Sequence, residues 1–110
     1  MAKIKQANIQ KERRLSYEMA RAVNKKIRKV LPVEMPGERK LFVAVLEAAI
    51  FDTSAIANSV RRAAWFFLLH CPADLERVCD LAEVEPDYVL RLINTVIKYE
   101  RRKEVEALAS

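Results

Sequence analysis

The sequence predicts an all-α fold, a compact bundle of about five helices, and three observations carry that expectation. A single glycine and four prolines stand among abundant Ala, Leu, Val, Arg, Glu and Lys, a composition that favours helix. Apolar residues recur at spacings of three and four along nearly the whole chain, and no alternating β-branched run interrupts them. At 110 residues the chain suits one domain with a core of its own.

Residues 1–10 show no sustained apolar face and are expected to be a mobile basic tail, with a single helical domain over 11–110. From Lys11 to Leu31 the pattern becomes regular. Leu15, Met19, Val23, Ile27 and Val30 form one stripe, and Arg14, Glu18, Arg21, Lys25 and Arg28 form a parallel polar one, so a basic amphipathic helix is expected over 11–31. Pro32, Pro36 and Gly37 end it.

Beyond that boundary a continuous core is expected over 38–110. Leu41, Phe42, Val45, Leu46, Ala49 and Ile50 make the helix from Glu38 to Phe51 apolar over more than half its circumference, which predicts a central position. Asp52, Thr53 or Ser54 then offers an N-cap for a helix running to about His70. Its core stripe is read as Ile56, Val60, Ala63, Ala64, Phe67 and Leu68, widened by Trp65, Phe66 and Leu69, with Arg61 and Arg62 outside it. A helix so apolar needs cover on several sides, which raises the expectation of a homodimer through this element. Trp65 is read as core, because large aromatics dominate buried area in small domains.

Two short apolar faces follow, separated by about four residues. Val78, Ala82 and Val84 stop at Glu85 and Pro86, and Val89, Leu92 and Ile93 resume the period on a last helix reaching about Leu108. Pro86 suits a first helical turn, and Asp87 complements the positive end of the helix dipole. On that helix Val89, Leu92, Ile93 and Val96 face inward, and Asp87, Arg91, Asn94, Lys98 and Arg101 face outward.

The stretch 74–93, and "EVEPDYVLR" within it, resembles the turn and recognition-helix start of repressor-type helix-turn-helix proteins. The aromatic-rich helix before it makes the chain similar to small helix-turn-helix proteins of bacteriophages and prophages. The resemblance implies that Val78 and Val84 are branched core residues, that Cys79 packs between the motif helices, and that Val89 and Leu92 dock the recognition helix. The sequence departs from the pattern twice. Glu83 occupies the usual glycine position of the turn, which requires a positive φ or a remodelled turn. The motif is also acidic, with Asp74, Glu76, Asp80, Glu83, Glu85 and Asp87 against Arg77, and acidic charge opposes phosphate.

Charge is distributed unevenly. Residues 1–31 carry a net +8 and the remainder −3, giving the overall +5. A basic arm on a mildly acidic body is a layout of nucleic-acid binders and also of solubilising tails. The expected leading function is therefore DNA binding as a phage- or prophage-related transcriptional regulator, dimeric because a small module gains specificity by symmetry. Arg91 and Asn94 carry base-type hydrogen-bonding groups, and Lys98, Arg101, Arg102, Lys11, Arg13, Arg14, Arg21 and Lys25 are candidates for the backbone. The alternative is an adaptor or inhibitor whose acidic motif binds a host or regulatory protein. The acidic cluster discriminates between them: lying outward on the surface that carries Arg91 and Asn94, it favours the adaptor.

Other classes find little support. One glycine builds no phosphate loop, and no nucleophile elbow or paired zinc motif appears, so no enzyme and no cofactor is expected. His70, Cys71 and Cys79 are too few for a structural zinc site. No secretory signal is read, and the longest wholly apolar run, Ala63 to Leu69, falls far short of the roughly 20 residues a bilayer requires. The expected location is the cytoplasm, without a membrane partner.

Overall fold

The computed structural model describes residues 14–109. Among them lie five helices and no strand: α1 Tyr17–Lys29, α2 Gly37–Asp52, α3 Asn58–His70, α4 Pro72–Ala82 and α5 Pro86–Ala109. The expected tail, with Lys11 and Arg13 just beyond it, falls outside the described residues.

Helix α1 begins later than its periodicity suggests, because Ser16 caps it. The Ser16 hydroxyl accepts the Met19 N–H at 3.1 Å and stops the helix from extending toward Arg14. Leu15 is therefore a core residue outside the helix: it is fully buried, and its N–H donates to the Thr53 carbonyl at 3.0 Å. At the other end Lys26, Arg28 and Lys29 complement the negative end of the dipole. Val30, read as part of the apolar stripe, is instead the exposed C-cap.

Helix α2 is central, packing on α1, α3 and α4. Val43, Leu46 and Ile50 are buried, but Leu41 and Val45 are exposed rather than inside. Its neighbours come from one side only. The Asn24 amide donates to the Glu47 carbonyl, and Arg28 grips the Glu47 carboxylate with two hydrogen bonds of 2.6 and 2.9 Å, holding α1 against α2.

The link into α3 corrects the expected cap. Asp52 ends α2, and the Thr53 and Ser54 hydroxyls donate backward to the Ile50 and Phe51 carbonyls, so these residues close α2. The N-cap of α3 is Ala57, which has no side-chain oxygen to offer. Arg61 does not replace that acceptor, since a guanidinium only donates; it ties the link to α3, donating to the Ala55 and Ile56 carbonyls and to Asn58 Oδ1. The core face of α3 is Ala64, Trp65 and Leu68. Ile56, Val60 and Ala63 are exposed, contrary to the stripe read from the sequence. Trp65 is fully buried, as its size predicts.

Pro72 sits in the first turn of α4, so only Cys71 separates α3 from α4. Leu75, Cys79 and Ala82 face the core with Val84, while Val78 is half-buried. On α5 the core positions are Val89, Ile93, Val96 and Ile97. Past Ile97 every described side chain is exposed, so the last dozen residues of this helix overhang the body. No helix among the described residues is long and apolar enough to cross a membrane.

Candidate interaction surface

Helices α4 and α5 are joined by Glu83, Val84 and Glu85. Glu83 adopts the left-handed conformation, φ 59° and ψ 46°, and is the one non-glycine residue with positive φ among those described. Its N–H donates to the Asp80 carbonyl at 3.1 Å, and the Val84 N–H donates to the Cys79 carbonyl at 2.9 Å. These two bonds form a Schellman closure, in which glycine is the usual left-handed residue. Of the two ways a glutamate can occupy that position, the chain therefore uses the positive φ.

The cost of that backbone is offset from α2. Arg39 Nε donates to the Ala82 carbonyl at 2.8 Å, and its Nη2 lies 3.5 Å from the Glu83 carbonyl. Both carbonyls belong to the end of α4, where helical partners run out. The Arg39 guanidinium also lies 3.8 Å from the Glu83 carboxylate. Nothing in the local pattern of α2 marked Arg39, since its partners lie more than forty residues away.

A cleft of about 680 Å³ opens at this junction, lined by Glu76, Cys79, Asp80, Glu83, Val84, Glu85, Pro86 and Asp87. Five of those eight residues are carboxylates, and all five are exposed. Cys79 and Val84 form its apolar floor, and burial pushes the Cys79 thiol up to about 11. The acidic motif thus points outward around the first turn of α5. Asp87 lies one helical turn before Arg91, so acid and base share the outer face of that helix.

The remaining candidate positions divide among separate places. Arg91 is exposed and Asn94 half-buried on the outer face of α5. Lys98, Arg101 and Arg102 are exposed beside the overhang, and Lys103 Nζ lies 5.4 Å from the centre of the Tyr99 ring. Asp87 and Arg101 are fourteen residues apart, about 21 Å along the helix, so the basic end and the acidic cleft are not one site. Arg21 and Lys25 are exposed on α1, while Arg14 donates to the Ser54 carbonyl at 2.9 Å. Helix α1 touches α5 near its start, where the Tyr88 hydroxyl lies 3.5 Å from the Lys26 carbonyl. No group of three or more His, Cys, Asp or Glu among the described residues is arranged to hold a metal ion.

Comparison of the chain with protein-family models, with curated proteins and with solved structures finds no match.

Proposed function

We propose that the chain is a protein-interaction module whose acidic cleft between α4 and α5 receives a basic segment of a regulatory partner. One observation carries this reading: five exposed carboxylates surround the first turn of α5. A recognition helix needs that turn to approach the phosphates and base edges of the major groove. Carboxylates there repel phosphate, whereas Lys and Arg side chains of a protein complement them. Pro86, part-exposed in the lining of the cleft, offers apolar contact for the stems of those side chains.

A second reading is DNA binding through a helix-turn-helix formed by α4 and α5. It is favoured by the three-residue link with a left-handed residue at its usual glycine position, and by the exposed cations of α1 and α5. Its backbone contacts are Arg21, Lys25, Lys98, Arg101 and Arg102, and Arg91 and Asn94 are its base readers.

The two readings separate in a pull-down with the purified chain, run in parallel with and without nuclease. Under the first reading a protein survives nuclease and is lost from the Asp80→Lys, Asp87→Lys double variant. Recovery that disappears with the nucleic acid and is kept or increased in the double variant overturns that reading in favour of the second.

A further inference from the structure

We propose that the outer face of α2 is the interface of a homodimer, in which two copies of this helix pair antiparallel about Ala44 and Val45.

Helix α2 packs on three other helices yet leaves an apolar face open. Leu41, Ala44, Val45 and Ala48, spaced i, i+3, i+4 and i+7, share one side of it, and all four are exposed. Leu41 keeps 59 % of its surface accessible and Val45 40 %. Ala44 at the middle and Ala48 one turn on allow another helix to approach at the short end of the usual 8–10 Å separation.

Charge selects a second copy, and its orientation. Asp52 is exposed on the last turn of α2, where the helix dipole disfavours a carboxylate. The first turn has the opposite defect: Pro36 is the N-cap, and among the described residues no side chain caps the free N–H groups. Among the described residues, no atom outside Gly37's own turn and chain neighbours lies within 4 Å of where a Cβ on Gly37 would be, so that turn is open to approach. The point midway between Ala44 and Val45 lies equally far, seven and a half residues, from Gly37 and from Asp52. A twofold axis there centres the apolar stripe on itself and carries Asp52 about 11 Å along the helix to the partner's Gly37. Both charge defects are relieved at each end. Glu38 and Lys40 of that turn offset each other, so the attraction of the free N–H groups for the carboxylate remains. A parallel pairing brings like ends together and gains none of this.

Sedimentation velocity of the full chain tests the proposal, at concentrations up to about 100 μM, a range that detects micromolar association. The parent is expected to be a dimer there, with Val45→Glu weakening association at least tenfold and Asp52→Lys severalfold. Far-ultraviolet circular dichroism should show both variants folded, since both side chains are exposed. In a Cys71→Ser background, Ala44→Cys is expected to form a disulfide-linked dimer on mild oxidation, and Arg21→Cys on α1 is not. A parent that stays monomeric, a Val45→Glu dimer as tight as the parent, or equal cross-linking from Ala44→Cys and Arg21→Cys overturns it.

Discussion

Arg39 holds the left-handed Glu83 from the opposite side of the α2–α4 contact, with its guanidinium 3.8 Å from the carboxylate and 3.5 Å from the carbonyl. Its shorter bond, 2.8 Å, goes to the Ala82 carbonyl just before. One residue of the central helix thereby satisfies the end of α4 and fixes where the acidic cleft opens.

This pair predicts two stability changes of opposite sign. Glu83→Gly should raise stability by about 0.5–1 kcal/mol, because glycine enters the left-handed region without a Cβ penalty. Arg39→Ala should lower it by about 1.5–3 kcal/mol, the range for hydrogen bonds to a charged group. Urea denaturation measures both, and a destabilised Glu83→Gly would show that the carboxylate matters more than the backbone strain.

Trp65→Ala should cost about 3–5 kcal/mol, since the indole is fully buried in the single core. Ile56→Ala, at an exposed position, should stay within about 0.5 kcal/mol in the monomer. Parallel denaturation curves at low protein concentration check the contrast: Trp65 keeps the core role read from the sequence, and Ile56, read as core, lies exposed before the start of α3.

Cys79 should resist thiol reagents in the folded protein while the less buried Cys71 reacts. Burial raises the Cys79 thiol from 9.0 to about 11. The folded state therefore retains a proton that the unfolded chain releases. This contribution is complete below pH 9 and is lost as pH rises toward 11, so stability should fall across that window. Chemical denaturation from pH 8 to 11, compared with Cys79→Ala, isolates the thiol's contribution. An unchanged slope in the variant would assign the fall to other groups.

The acidic cleft makes a prediction about DNA that separates electrostatics from shape. If the carboxylates oppose phosphate, Asp80→Lys with Asp87→Lys should tighten DNA binding in a mobility-shift titration at about 50 mM salt. Under the helix-turn-helix reading, Arg91→Ala should cost about 1–3 kcal/mol and relax preference at one position. Lys98→Ala should weaken all sequences alike and reduce the salt slope by about one. Failure of the parent chain to bind any duplex at that salt removes this reading.

The fold class, the breaks at Pro36 and Pro86, the buried Trp65 and the long last helix were legible in the sequence. Each follows from local causes: helix propensity, proline geometry and the 3.6-residue period act on neighbours in the chain. The six acidic residues of the motif were equally legible as charges. Which side of a helix meets a neighbour was not local. Leu41, Val45, Ile56 and Val60 satisfy the period of a core stripe, yet they lie outside, because the period marks an apolar face and only the packing of the helices on one another selects which face is covered. The start of α1 was legible in part, since Ser16 is a capping residue inside a longer apolar pattern.

Sequence alone thus determined where helices form and what charge each carries, because those depend on residues within a few positions of one another. Tertiary structure decided that Arg39 reaches the end of α4, that five carboxylates share one cleft, and that an apolar face of α2 stays open. Those outcomes depend on contacts across tens of residues, whose geometry is set only when the helices pack.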